Sequence, residues 1–218
     1  AGNRIPENIL FPYPHPKTLG LILDPKKKAT VSSVNPGSIA ANSGLRAGDI
    51  IESIGGQTPL SIADVQWVLH QTSGDENSIP ISVMRNDRPV NLALKLPAGW
   101  RRGGDLSWRV TSWAYRRMLT GGMKLSDLPE ENREELRLAP NKMSLLVQHV
   151  GQYGAHAAAK RAGLRKGDIL VSYAGHDDLQ TESQLFAHAL NHHRPGDRIT
   201  VEVLREGRKK EFVIPVQP

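Results

Sequence analysis

Three groups of residues in this sequence have the types and spacing that chemistry would need. Ser43, between Asn42 and Gly44, carries a hydroxyl that a neighbouring base could turn into a nucleophile. The histidines include the adjacent pair His192-His193, and imidazole is a common metal ligand. From Gly99 to Arg117, Trp100, Trp108 and Trp113 are interleaved with Tyr115 and five arginines. Such rings and guanidinium planes can stack on a protein partner, a sugar or bases. None of the three groups reads as a reaction centre. Ser43 sits inside a helix-end motif and lacks the glycines that would shape an oxyanion hole. No His-x-x-x-His or Glu-bearing helix signature accompanies the histidine pair, which runs into a Pro195-Gly196 turn, so no metal ligand is assigned. The Trp/Arg stretch is read first as a staple between domains, burying large rings, with stacking on a partner as the alternative. No cysteine is present, which excludes a thiol nucleophile, disulfides and cysteine metal sites. No phosphate loop or paired-acid constellation appears. Catalytic residues and cofactors are therefore set at none.

The bulk properties point the same way. The chain has 218 residues, 39% hydrophobic and 23% charged, which suits one large globular domain or two ordinary ones. Its longest apolar runs, such as Leu19 to Leu23, fall far short of the roughly 20 residues a membrane span needs, so no membrane insertion is expected. The formal charge is +6, but the basic clusters (Lys26-Lys27-Lys28, Arg101-Arg102, Arg116-Arg117, Lys209-Lys210) are scattered. A nucleic-acid groove would concentrate them on one face, and no nucleic-acid partner is expected. No signal-peptide order appears at the N-terminus, and the opening Ala1-Gly2 reads as the start of a piece of something larger.

The elements that position these residues come from an internal repeat. Gly44-Leu45-Arg46-Ala47-Gly48-Asp49-Ile50 recurs as Gly163-Leu164-Arg165-Lys166-Gly167-Asp168-Ile169, an offset of 119 residues that fits duplication of a whole small domain. Each copy follows an alanine-rich stretch (Ser38 to Asn42, Ala155 to Ala162) that predicts a short helix. Gly44 and Gly163 stand where that helix must end, because glycine takes the left-handed conformation without penalty. The Gly-Asp pair predicts a tight turn into a strand, and a second turn follows at Gly55-Gly56 or Ala174-Gly175. Ser61 or Thr181 then caps a helix with apolar residues at helical spacing. Each copy closes with a hairpin, one turning through Asn86-Asp87 and the other through Glu206-Gly207.

This order resembles the PDZ domain in the bacterial form known from HtrA serine proteases. The features that carry the resemblance are the helix end in Ala-x-x-x-Gly-Leu-x-x-Gly-Asp-x-Ile, the Gly-Gly turn, the capped helix and the final hairpin. A two-barrel protease does not fit in the remaining length. The resemblance implies a mainly β fold with short helices (α+β), as two partly open β-barrel or sandwich domains in tandem. Residues 1–16 then form an extended Pro-rich leader, 17–98 the first domain, 99–116 a packed Trp/Arg-rich connector and 117–218 the second domain.

The family also carries an apolar-Gly-apolar loop whose backbone amides hold a peptide's terminal carboxylate. Thr18-Leu19-Gly20-Leu21 matches it in the first copy, and Gly121-Gly122-Met123 in the second. The resemblance then implies that a peptide adds as a strand. Its edge would be Leu21, Ile22 and Leu23, facing Ile62, Val65 and Val68, or Met123, Lys124 and Leu125, facing Leu185 and His188. Glycine at 20 and 122 would keep a side chain out of the peptide's path. His188 could read a polar side chain and titrate near neutral pH. The implied partners are peptide or protein C-termini, or extended segments, with an upstream domain of the same protein as a further partner. The implied location, by resemblance, is periplasmic, cell-envelope or secreted. Two alternatives stand beside this: a regulatory region of a protease or redox enzyme, and a structural pair whose grooves hold the chain's own residues.

Overall fold

A computed structural model describes residues 5–107 and 109–218, and the chain divides into two compact units, Ile5–Asp105 and a second ending at Pro218 that begins at Leu106. Trp108, one of the three rings of the connector, lies outside the described residues, as do residues 1–4 of the leader.

The first unit begins with α1 (Glu7–Leu10) and a 3-10 turn over Pro16–Leu19, followed by β1 (Leu21–Leu23) and β2 (Val31–Val34). Then come α2 (Ile39–Asn42), β3 (Ile50–Ile54), α3 (Ile62–Gln71) and the hairpin of β4 (Asn77–Arg85) and β5 (Arg88–Leu96). β1 and β2 form a two-stranded antiparallel sheet, and β3, β4 and β5 a three-stranded one in that order. The second unit holds α4 (Ser112–Thr120), β6 (Met123–Asp127), α5 (Glu130–Glu135) and β7 (Leu145–Val150). α6 (Ala158–Ala162), β8 (Ile169–Tyr173), α7 (Glu182–His192), β9 (Arg198–Arg205) and β10 (Arg208–Pro215) complete it. Its five strands make one antiparallel sheet in the order β10-β9-β8-β7-β6, which leaves β6 at an edge. Each unit has its own core, one built around Leu21, Val31, Ile51, Leu69 and Leu94, the other around Met123, Val147, Leu170, Phe186 and Val201.

The repeated motif forms the same knot in both units. Gly44 and Gly163 take left-handed φ of 85° and 102°, and the next residue, Leu45 or Leu164, donates its N–H back to Ala40 or Ala159 and buries its side chain. Asp49 is fully buried, and its Oδ2 accepts the Arg46 N–H at 2.9 Å, closing the turn. Arg85, from the end of β4, grips the same carboxylate through Nε at 2.7 Å and Nη2 at 2.9 Å, and also donates to the Gly44 carbonyl at 2.8 Å. In the second unit Asp168, Arg165, Arg205 and Gly163 repeat each of these bonds. The bidentate fork is one that arginine alone among the cations provides.

Some sequence expectations meet a different structure. Within the leader that its prolines predict to be extended, Glu7–Leu10 makes a helical turn, and Leu10 and Phe11 are buried. The 99–116 segment divides between the units. Trp100 packs in the first core and donates its ring N–H to Ser73 O at 2.9 Å, and Arg101, 1% exposed, caps the end of α3 through the carbonyls of Leu69, His70 and Thr72. Arg116 bonds only inside the second unit in its described contacts, to Ser107, Ser112 and Glu182. Leu106 to Val110, whose alternation predicts a strand, contains none among its described residues, and a helix follows from Ser112.

Replacing Asp49 with Ala strands the Arg85 guanidinium and opens the Arg46 turn, so urea unfolding should show a loss of about 2–3 kcal/mol. Burial raises the Asp49 carboxyl, but the hydrogen bonds from Arg85 and the Arg46 amide outweigh it and hold the group below its ordinary value. Its contribution is therefore present above the unfolded carboxyl value of about 4 and is lost as pH falls through the lower folded value. Thermal melts of Asp49→Asn against pH should show a shallower acid limb than the parent.

Candidate functional site

In the first unit β1 pairs only with β2, so its other edge carries no strand among the described residues. Leu21 and Leu23 point into the core, while Ile22 is half-buried. Packed against the 3-10 turn that leads into β1 is α3, started by Ser61 and Asp64, whose carboxylate accepts the N–H groups of Leu60 and Ser61 at 2.9 and 2.8 Å. This reciprocal cap fixes which face of the helix turns inward. Val65 is core, whereas Ile62 and Gln66, one turn apart, line a cavity of about 440 Å³ with Asp24 to Lys28 and Leu60 to Ala63. Gln66 also donates to Tyr13 O at 3.1 Å, and the Tyr13 N–H reaches His70 Nδ1 at 3.4 Å. The Tyr13 ring stacks on His70 at 4.2 Å. The leader thus lies along the C-terminal half of α3, and the cavity opens along the N-terminal half.

The glycine loop of this unit is a 3-10 turn. Thr18 donates its N–H to His15 O and Gly20 to Lys17 O, both at 2.9 Å, and Leu19 is buried. Two of the amides expected to face a carboxylate are therefore already bonded within the loop.

The second unit is arranged differently at the corresponding place. The first residue of α7 is Glu182, which stands where α3 has Ile62, directly after the cap residue (Thr181 or Ser61). Its Oε1 accepts the Leu125 N–H at 2.8 Å. Because β6 is an edge strand paired only with β7, that amide is one an added strand would use. Arg116 of α4 holds the same carboxylate, Nη2 to Oε2 at 2.6 Å and Nε to Oε1 at 3.0 Å. Arg116 and Glu182 are only 2% and 4% exposed. Gly121 and Gly122 end α4 with φ of 63° and 89°, and the Gly122 N–H bonds Arg116 O at 2.8 Å. Met123, Leu125 and Leu185 are core, and Lys124 is exposed.

Comparison with known proteins agrees with this architecture. Residues 30–80 and residues 133–216, together more than half of the chain, each match a PDZ domain family. This chain is a tandem of PDZ domains. Both matched ranges begin after the glycine loops. A probable periplasmic serine endoprotease DegP-like of Pseudomonas putida (strain GB-1) is 26% identical over 186 residues, covering 85% of this chain and 37% of its own length. The periplasmic pH-dependent serine endoprotease DegQ of Escherichia coli (strain K12) is 28% identical over 149 residues, covering 68% of this chain and 29% of its own. The chain thus spans about a third of the length of the curated relatives it matches. A solved structure of the HtrA-type protease AlgW with a decapeptide covers 89% of this chain and 61% of its own at 17% identity and a TM-score of 0.36. By resemblance to these relatives the location is the periplasm or cell envelope.

Two features of the PDZ pair differ from what the motifs alone suggest. Glycine at 20 and 122 is already required by the protein's own packing. A Cβ on Gly20 would lie 2.2 Å from Ser38 Cβ, and one on Gly122 would lie 1.9 Å from the His156 carbonyl oxygen. Val68 and His188, at matching places on α3 and α7, meet the turns that follow β3 and β8. A Cβ on Gly55 would meet Val68 at 3.0 Å, and the His188 ring lies tilted against His176 at 4.1 Å and stacked on His192 at 4.3 Å. Among the described residues no His, Asp and Glu group is arranged to hold a metal. The Arg116–Glu182 pair escaped the sequence reading, although a glutamate at the helix position where the first copy has isoleucine was its visible signal.

Glu182→Ala leaves Arg116 buried without a partner and should lower stability by about 3–5 kcal/mol. Hydrogen exchange at the Leu125 amide should accelerate beyond that global loss, and Glu182→Gln should retain part of the protection. For His188, burial and then the neighbouring His176, His192 and His193 push the imidazole down to about 4. It should stay neutral through physiological pH in an NMR titration. Because an unfolded histidine protonates near about 6.5, this group's contribution is full above that value and falls away as pH drops toward the folded one.

Proposed function

We propose that the chain is a non-catalytic binding module in which the first PDZ domain takes an extended segment of a partner along β1, while the second has its own groove closed. The observation that carries this is the exchange of one residue at the head of the groove helix. Ile62 lines an open cavity beside the connection that leaves β1 in the first domain, whereas Glu182 in the second holds the Leu125 amide that an incoming strand would need. Displacing Glu182 would expose a buried charge pair, which costs more than a typical strand addition returns. In the first domain the loop amides of Thr18 and Gly20 are engaged within their own turn, which favours recognition of an extended run over capture of a terminal carboxylate. Main-chain pairing supplies affinity and the cavity supplies choice, at a level of about −8 kcal/mol, or micromolar.

A second reading is supported by the relatives, which are periplasmic serine endoproteases of which this chain spans about a third. The pair would then regulate a protease domain of the same protein. Assaying the natural full-length protein for peptide-stimulated proteolysis separates the two.

Peptides selected from a random library against the folded chain should bind with micromolar Kd. Amidation of the C-terminus should change that Kd by less than ~3-fold, and Ile62→Arg should weaken it by more than ~10-fold. On saturation, hydrogen exchange should slow along β1 and stay unchanged at Leu125. A requirement for the free carboxylate, or protection arising at β6 instead, would overturn the assignment.

A further inference from the structure

The open part of the first groove has a distinct charge. Of the ten residues lining the cavity, Lys26, Lys27 and Lys28 form one rim, and Ile62, Ala63, Leu60 and Pro25 give apolar surface on either side. All three lysines are exposed. Among the described residues none of their ammonium groups is paired with a carboxylate. The one acid in the lining, Asp24, is engaged by its own turn: its Oδ1 accepts the Lys26 N–H at 2.8 Å. The turn is held independently of the lysine side chains, because Asp24 donates its N–H to Thr30 O at 2.8 Å and Thr30 Oγ1 donates to Lys28 O at 2.9 Å. Three like charges on a short, tied turn raise the local potential where a ligand must pass.

The second domain lacks this lysine run at the same place in its fold. Its connection between the first two strands sets the exposed acids Glu130, Glu131, Glu134 and Glu135 of α5 against Arg133, Arg137 and Lys142, so the acids slightly outnumber the bases. The duplicated scaffold thus fixes the groove walls, while the charge of this connection differs between the copies. In the copy with the open cavity it is basic.

We propose that the first PDZ domain selects extended segments bearing acidic side chains, which Lys26, Lys27 and Lys28 read as the segment leaves the apolar part of the groove. This rests on the peptide-binding reading and names its ligand class. The segment alternates: residues on one face meet Ile62 and Ala63, and Asp or Glu on the other meets the lysine rim. Recognition of this kind steers association and sets specificity more than total affinity. It weakens as salt shortens the range of the field.

The test uses the full chain and labelled, C-terminally amidated peptides of one apolar-alternating sequence, carrying Asp/Glu, Ser or Lys at the alternate positions, read by fluorescence anisotropy. The acidic peptide should bind ~10-fold tighter than the serine one, with the gap closing as salt rises. In the triple variant Lys26→Glu, Lys27→Glu, Lys28→Glu the preference should reverse toward the lysine peptide, with an unchanged melting temperature. Equal binding of acidic and serine peptides, both lost in Ile62→Arg, would remove the acidic selection and leave peptide binding standing. No binding by any peptide to a chain shown folded by circular dichroism would remove both. An acidic preference that survives the triple variant would place its origin elsewhere and overturn the assignment. Concentration-dependent self-association in sedimentation, lost in the triple variant and in Glu130→Lys with Glu134→Lys, would make α5 of a second copy the occupant instead.

Discussion

In each domain a single buried carboxylate ties together three stretches of chain that lie far apart in sequence. Asp49 takes the amide of its own turn, the fork of Arg85 from the closing hairpin and, through that fork, the carbonyl that ends α2. Asp168 and Arg205 do the same in the second domain. A charge this deeply placed is tolerated only when it is paired and hydrogen-bonded, and here an arginine fork and a turn amide engage both carboxylate oxygens. The turn then presents the neighbouring backbone to the next strand. Val31 and Val147 both donate to the aspartate carbonyl at 2.8 Å and accept from Gly48 and Gly167. The strand that should meet a ligand, β1 or β6, is positioned one step further on, by pairing with β2 or β7.

On that common frame the two grooves diverge through a few side chains. An isoleucine at the start of α3 lines a space beside the connection that leaves β1, and the space is bordered by lysines. A glutamate at the start of α7 fills the equivalent position and bonds the edge amide, and Arg116 neutralises it from α4. The energetic asymmetry is large. An apolar wall can yield to a partner at small cost, whereas a buried ion pair resists displacement because either partner left alone is expensive. One duplication can in this way yield one open and one closed groove without altering the fold.

The glycines show how a pattern can be right for another reason. Gly20 and Gly122 occur where the motif places them, and both take left-handed φ. What leaves no room for a side chain is Ser38 in one case and the His156 carbonyl in the other, so the constraint is internal packing. His188 is a similar case: its helical position and its neighbour His192 one turn on are legible, but His176 joins them only once the turn after β8 folds against α7.

The sequence by itself determined the duplication, the helix-ending glycines, the hairpin turns and the alternation of the strands, because each is a local property of a few consecutive residues. Even the Asp–Arg pair was within its reach, since Arg85 recurs as Arg205 beside each hairpin turn much as Asp49 recurs as Asp168. Only the tertiary structure decided that Glu182 meets Leu125, that Arg101 caps α3 and fastens the leader through Phe11 O, and that Tyr13 lies on Gln66 and His70. These partners stand tens of residues apart, and no local preference selects them. They follow from where the folded cores bring buried polar groups that must find partners away from water.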